Sequence, residues 1–222
     1  MKQIPLAIGP DAPPTFDTFV PGTNAAAVAH LRTLDASAPA PVYLWGPAGS
    51  GKTHLLRALV HERQRRGEQV GWFGAAHPLP WEFEPAWALV VLDDCHAFDA
   101  ARQQAAFALF VDAASHAVQL AAAGAVPPVD LPVRDDLRTR LGWGHVFALQ
   151  PLDEGQVRAT LRREADRRGI FLSDDVMDHL LTHFARDLTN LMALLDRLDG
   201  YALSYQRAVT VPLIRRMLSE EP

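Results

Sequence analysis

The chain has 222 residues, of which 49% are hydrophobic and 21% charged, with a formal net charge of -5. That length is enough for one full domain and a smaller second one. The negative balance argues against a protein that mainly coats nucleic acid, because such a protein needs a basic excess. A single cysteine, Cys95, cannot form an intramolecular disulfide and favours the reducing cytoplasm. No apolar run approaches about 20 residues and no secretory signal is evident, so no membrane role is predicted.

The first 14 residues contain four prolines and no helical periodicity, which predicts an extended tail outside the core. Within this tail a glutamine leads a short hydrophobic peptide: Gln3, Ile4, Pro5, Leu6, Ala7 and Ile8. An extended peptide with apolar residues at alternate positions can insert side chains into a partner's hydrophobic groove. A disordered terminus is the commoner explanation of such a pattern on its own.

A glycine-rich segment dominates the sequence, between a strand predicted at residues 41–45 and a helix predicted at residues 53–66. Its residues are Gly46, Pro47, Ala48, Gly49, Ser50, Gly51, Lys52 and Thr53. The order of strand, glycine-rich turn and helix is the setting of a phosphate-binding P-loop. Glycines bring backbone amides close to phosphate, lysine supplies a cation, and the threonine hydroxyl can hold Mg²⁺. The segment therefore predicts binding of a nucleoside di- or triphosphate.

A continuous apolar run at residues 88–92 predicts a central parallel strand, and it ends in Asp93 and Asp94. Ligands bind at the carboxyl ends of strands in open α/β sheets. Beside a P-loop, this pair is interpreted as a Walker B motif, with Asp93 holding Mg²⁺ through water and Asp94 orienting or activating the attacking water. An isolated pair of aspartates would more often be the acidic start of a helix.

The remaining pattern predicts the fold class and the domains. Strands at residues 70–73, 118–123 and 146–149 alternate with helices, among them 25–34, which Asn24 can cap, and 101–117. This alternation predicts a doubly wound, parallel, five-stranded sheet. From residue 151 the pattern becomes wholly helical. We predict a tail at 1–14, an α/β nucleotide-binding domain at 15–150 and a helical domain at 151–222.

Two other features have ordinary explanations. His179 and His183 stand at i, i+4, a spacing that could hold Zn²⁺, but the sequence offers no evident third ligand. Cys95 is interpreted as a buried apolar residue, because no cation that would activate its thiolate is close in sequence.

These motifs in this order resemble the AAA+ ATPases, and among them the group related to the replication initiator DnaA. Residues 15–24 are similar to the family's segment over the adenine, so the resemblance adds Phe16, Phe19, Val20 and His54 to the P-loop as nucleotide contacts. Residues 137–144 are similar to the motif with the arginine finger, which implies that role for Arg140, with Arg138 as the alternative. Without the resemblance, Arg140 would be interpreted as a salt-bridged surface arginine. The helical domain resembles the AAA+ lid.

The glutamine-led peptide resembles those that dock bacterial proteins on the DNA sliding clamp, and the chain ends where DnaA continues into a DNA-binding domain. Together these features resemble the Hda-like regulatory inactivators of DnaA. The resemblance implies a negative regulator of replication initiation that holds ADP or ATP with Mg²⁺ and binds the sliding clamp. Its arginine finger would act in trans on ATP bound to DnaA. DNA would be contacted indirectly or weakly, and a homo-oligomer is possible.

Two positions depart from the family pattern. A polar sensor-1 residue is expected at the end of the fourth strand, where Ala123 stands. Thr189 takes the place of the sensor-2 arginine, and Arg186 lies one turn earlier. These departures imply slow intrinsic hydrolysis and stable occupancy by ADP. Two other functions stay open: an autonomous AAA+ ATPase or loader that remodels a replication partner on DNA, and a nucleotide-dependent adaptor without a role for hydrolysis.

Overall fold

The structure is a computed structural model that describes residues 13–34, 40–184, 188–205 and 209–219. The chain folds into two compact units, which meet in sequence between Pro151 and Leu152. The clamp-like peptide at residues 3–8, Arg186 and the side chain of Thr189 lie outside the described part. The proposals for these residues therefore rest on the sequence.

The first unit is built on a five-stranded sheet of order β2-β3-β4-β1-β5, with every neighbouring pair parallel. The strands are β1 Val42–Trp45, β2 Gln69–Gly74, β3 Trp87–Asp93, β4 Gln119–Gly124 and β5 His145–Ala148. β4 is buried along its whole length and β3 over its last five residues, because helices cover both faces of the sheet. The predicted α/β fold class is confirmed.

Four helices cover the two faces: α1 Ala25–Arg32, α2 Lys52–Arg65, α3 Ala100–Ser115 and α4 Asp135–Gly142. Alternate residues of β3 point to opposite faces, so Val91 packs with α1 and α2 while Leu92 packs with α3 and α4. Each face therefore has its own apolar core, one around Leu55 and the other around Leu109 and Leu137.

Asn24 precedes α1 but makes no side-chain capping bond, which corrects the predicted capping role. Its Nδ2 donates to the carbonyl of Gln150 at 2.8 Å, and its Oδ1 accepts from the amide of Gln150 at 2.9 Å. The residue is only 5% exposed. Its side chain therefore forms hydrogen bonds with the backbone just beyond β5 and attaches the start of α1 to that segment. The same side chain is then not available to cap α1.

The second unit is all-helical in the part that the structure describes, with α5 Glu154–Arg167, α6 Asp174–His183, α7 Leu188–Tyr205 and α8 Val211–Ser219. A capping box at Asp153 begins α5, because its carboxylate accepts from the Gln156 amide while the Gln156 side chain accepts from the Asp153 amide. One core, which includes Leu161, Met177 and Leu198, holds the four helices together.

Among the described helices, none is long and apolar enough to cross a membrane. The rings of His179 and His183 are 4.2 Å apart between centroids in the second unit. Over the same described ranges, no three metal-ligating side chains gather into a group that could hold an ion.

We predict that Asn24→Ala lowers the stability of the first unit by about 1–3 kcal/mol, because it removes the two hydrogen bonds that the buried Asn24 side chain makes with the backbone of Gln150. All five tryptophans lie between residues 45 and 143. Tryptophan fluorescence therefore follows urea unfolding of the first unit alone. Thr23→Ala, at an exposed neighbouring position, is the matched control and should leave the midpoint unchanged. Equal midpoints for the two variants would contradict the role given to Asn24.

Candidate nucleotide-binding site

The P-loop connects β1 to α2, and close backbone approaches fix its shape. A Cβ at Gly46 would lie 2.3 Å from the carbonyl oxygen of Leu149, just past β5. No side chain fits there, so the loop can pass close to the neighbouring strand only with glycine at this position.

Gly51 is the residue before α2 and has a left-handed φ of 90°. A Cβ here would lie 2.5 Å from Cε2 of Phe19. The ring of Phe19 therefore lies directly against the loop, beside the first free amides of α2. Free amides at a helix N-terminus are the groups that bind phosphate.

Lys52 is held inside the loop, with only 9% of its surface exposed. Its Nζ donates to the carbonyl oxygens of Gly46 and Pro47, at 2.8 Å in both cases. Burial lowers the pKa of Lys52, while the nearby carboxylates of Asp94 and Asp93 oppose that shift. A desolvated ammonium at this place is a strong partner for an anionic phosphate, because the interaction is little screened.

The start of α2 and the end of β3 meet through Thr53 and Asp93. The Thr53 hydroxyl donates to Oδ2 of Asp93 at 2.8 Å, and the Asp94 amide donates to Oδ1 at 3.0 Å. Burial raises the pKa of Asp93, and the hydrogen bond from Thr53 opposes the rise. A hydroxyl and a carboxylate oxygen in contact are ligands that Mg²⁺ prefers, so these two residues fit the expected metal.

Asp94 follows β3 with an exposed side chain and a left-handed backbone, φ 55° and ψ 42°. This conformation costs about 1–3 kcal/mol for a residue other than glycine and is concentrated at functional sites. Asp94 lies at the carboxyl end of β3, which is the end of the sheet where the P-loop also lies. Its predicted role requires this location. That role, orienting a water molecule, stays a prediction.

The segment before α1 places its two phenylalanines in different surroundings. Phe16 is 8% exposed and packs in the core with α1 and α2, where the Arg32 guanidinium lies 5.3 Å from the ring centroid. Phe19 and Val20 are half-buried, and Phe19 is the aromatic residue against the P-loop. His54 is half-buried in the first turn of α2. Direct contact of these four residues with nucleotide stays a prediction.

The end of β4 offers no polar side chain to a γ-phosphate. Ala123 is buried and paired with Leu44 of β1, and Gly124, Ala125 and Val126 follow it. A shift of the sensor-1 position by up to three residues would therefore still place an apolar residue there. Only backbone groups can contact a ligand at this point.

Arg140 lies on α4 with its guanidinium over two aromatic rings of α3, 5.2 Å from the centroid of Phe107 and 5.8 Å from that of Phe110. Among the described residues it has no carboxylate partner. Arg138, the alternative finger, pairs with Asp135 and donates to the carbonyl of Leu131. Sequence reasoning missed the aromatic contact, although phenylalanines three apart on a helix share one face.

Two family comparisons match separate parts of the chain. Residues 11–74 match the bacterial DnaA ATPase domain. Residues 153–218 match the domain described as "Hda, lid domain". Together the two matches span more than half of the 222 residues. This chain is an Hda-like, DnaA-related AAA+ protein.

Solved structures share the fold of this Hda-like protein. Domain III of the DnaA replication initiation protein from Thermotoga maritima is 20% identical with a TM-score of 0.73, and the alignment covers 96% of this chain and 99% of that one. AMPPCP-bound DnaA from Aquifex aeolicus is 20% identical with a TM-score of 0.69, over 90% and 70% of the two chains. The RuvB branch migration motor from Thermotoga maritima is 16% identical with a TM-score of 0.60, over 89% and 66%. These likenesses establish the AAA+ fold.

We predict that Gly51→Ala lowers the affinity of this Hda-like protein for a fluorescent ADP analogue at least about tenfold, because the added Cβ collides with Phe19 beside the phosphate loop. The matched control is Gly67→Ala, which has a similar φ of 78° and no atom within 4 Å of the added Cβ. It should cost about 1–2 kcal/mol of stability without a change in affinity. Equal affinities in the two variants would show that the contact with Phe19 is unimportant.

Proposed function

We propose that this protein holds an adenine nucleotide at its own P-loop and promotes hydrolysis of ATP bound to DnaA. The observation that carries the proposal is Arg140. Its guanidinium lies on the rings of Phe107 and Phe110 and has no ion pair within the described ranges. An arginine without a carboxylate partner keeps its charge available for a phosphate on another molecule.

The nucleotide in its own site is ADP or ATP, with Thr53 and Asp93 as the Mg²⁺ ligands. The loop geometry supports this assignment, as does the likeness to a DnaA that was solved with AMPPCP. Bound Mg²⁺ would neutralise phosphate charge. Asp94 is the candidate to orient a water molecule, but the apolar end of β4 favours slow hydrolysis. The resident nucleotide is therefore proposed to have a structural role.

In trans, Arg140 would lie against the γ-phosphate of ATP on DnaA. When water attacks that phosphorus, the bond to the β–γ bridging oxygen breaks, and ADP and phosphate are released. Charge spreads over the transferred oxygens in the transition state, and a guanidinium placed there accelerates the reaction roughly 10³–10⁵-fold. DnaA would be left in its ADP form, which makes this protein a negative regulator of initiation.

The tail at residues 3–8 is proposed to bind the DNA sliding clamp. That contact would concentrate the protein on replicating DNA, because tethering raises the effective concentration of the second contact. DNA itself would be contacted only indirectly or weakly, in keeping with the net charge of -5.

We predict that Arg140→Ala abolishes stimulation of DnaA-bound ATP hydrolysis in the presence of clamp-loaded DNA. Hydrolysis of the DnaA-bound ATP should fall to its unstimulated rate, since an arginine finger accelerates hydrolysis roughly 10³–10⁵-fold. Arg138→Ala is the matched control on the same helix, because Arg138 is already paired with Asp135. It should retain most of the stimulation. Hydrolysis is measured as labelled phosphate released from preloaded DnaA in single turnover.

The same assay separates the alternatives. Full stimulation by Arg140→Ala would contradict the finger and favour a nucleotide-dependent adaptor. A high ATPase rate of this protein alone, lost in Asp94→Asn, would instead favour an autonomous motor or loader. Loss of stimulation in Arg138→Ala but not in Arg140→Ala would assign the arginine finger to Arg138 instead of Arg140.

We predict that replacing Gln3 and Leu6 together by alanine removes retention on immobilised sliding clamp. The double variant should bind nucleotide as the parent does, because the predicted tail lies apart from the P-loop in sequence. Replacing Thr23, an exposed residue further along the chain, by alanine serves as the control. Unchanged retention of the double variant would show that the tail is not the clamp contact.

A further inference from the structure

We propose that His54 is a positioning residue that fastens residues 15–19 across the P-loop and thereby limits the rate at which nucleotide leaves. The kinetic part rests on the proposed function, because it requires a bound adenine nucleotide. The fastening itself is a property of the protein alone.

His54 follows the P-loop directly, in the first turn of α2. Its Nε2 lies 3.0 Å from the carbonyl oxygen of Thr15. A carbonyl can only accept, so Nε2 carries the proton and donates. The hydroxyl of Thr18 lies 3.4 Å from the same nitrogen. One imidazole nitrogen thus faces both ends of the turn at residues 15–18.

That turn is closed by its own hydrogen bonds. The amide of Thr15 donates to the Thr18 hydroxyl at 3.0 Å, and the amide of Thr18 donates to the Thr15 hydroxyl at 3.2 Å. The turn is also attached to α1, since Asp17 pairs with Arg32 at 2.6 Å and Phe16 is buried in the core. The segment is therefore held by α1 on one side and by His54 on the other.

The ring of His54 also touches the end of the segment that covers the loop. Its centroid is 5.5 Å from that of Phe19, with the ring planes tilted by 50°. Phe19 in turn lies so close to Gly51 that an added Cβ would be 2.5 Å from its ring. His54 therefore supports both the turn and the aromatic residue that lies on the P-loop.

This arrangement gives His54 a role beside the nucleotide contact that the resemblance implies. Its Nε2 is used by the backbone of Thr15, so the side chain acts on nucleotide through residues 15–19. A ligand held in the loop beneath this segment leaves when the segment lifts. Lifting the segment breaks the hydrogen bond from His54 to Thr15. Loss of this bond should therefore change mainly the rate at which nucleotide dissociates.

The experiment measures release of a fluorescent ADP analogue, displaced by excess unlabelled ADP in a stopped-flow instrument. His54→Phe keeps a ring against Phe19 but removes the donor, and release should be about 2- to 10-fold faster, the value of one hydrogen bond. His54→Gln keeps a donor and should release within about twofold of the parent. Gln64→Ala, at an exposed position near the other end of the same helix, is the control and should match the parent.

Hydrogen exchange tests the fastening without nucleotide. The amides of Thr15 and Thr18 should exchange faster in His54→Phe than in the parent and should be restored in His54→Gln. Parental release and exchange in a folded His54→Phe would overturn the inference. If His54→Phe does not fold, parental exchange and release in His54→Ala would overturn it instead. A parent protein that takes up no ADP analogue would refute the proposed function, while the exchange result would still decide the fastening.

Discussion

The hydrogen bond between Thr53 and Asp93 is the contact on which the site depends. It joins the first turn of α2 to the end of β3, although β1, the strand that feeds the P-loop, is separated from β3 by β4. The link therefore reaches across the end of β4. There the chain has only small residues, Ala121, Ala122, Ala123, Gly124 and Ala125, which have no large side chain to separate the two motifs. A Cβ at Gly124 would lie 2.1 Å from the hydroxyl of Tyr43, so glycine is required there.

The electrostatics of the site favour a ligand that is anionic and accompanied by a cation. Burial disfavours the charged form of Lys52 and, separately, the charged form of Asp93. A phosphate next to the lysine and Mg²⁺ next to the carboxylate would each restore the charged form. A magnesium nucleotide would therefore stabilise the charged forms of both Lys52 and Asp93. This is the physical reason why the P-loop and the Asp93–Asp94 motif occur together.

The fold was largely predictable from the sequence because its signals are local. Each strand of the sheet is a short apolar run bounded by turn residues, and the P-loop, the Asp93–Asp94 pair and the Asp153 capping box depend on neighbours in sequence. The misplaced cap at Asn24 shows the limit, because its partner Gln150 lies 126 residues away. Composition favours a cap at that position, and only the tertiary structure shows which backbone groups the amide satisfies.

The candidate site was predictable in its residue types but not in their connections. The resemblance implies the same role for Phe16 and Phe19, whereas the structure buries the first and places the second on the P-loop. His54 was identified by resemblance, and its bond to Thr15 came only with the fold. Arg140 was distinguished from Arg138 by family resemblance alone until the structure showed which guanidinium has a carboxylate partner. Such distinctions depend on packing between helices that are remote in sequence.

Cys95 has a practical consequence. It is fully buried directly behind the Asp93–Asp94 pair, and burial together with the nearby negative charge of Asp93 raises the pKa of its thiol. Thiol reagents attack the ionised and accessible form. The single cysteine of the sequence should therefore not react with maleimides in the folded protein. Dyes or spin labels can therefore be attached at introduced surface cysteines without first removing Cys95 and disturbing the core that supports the site.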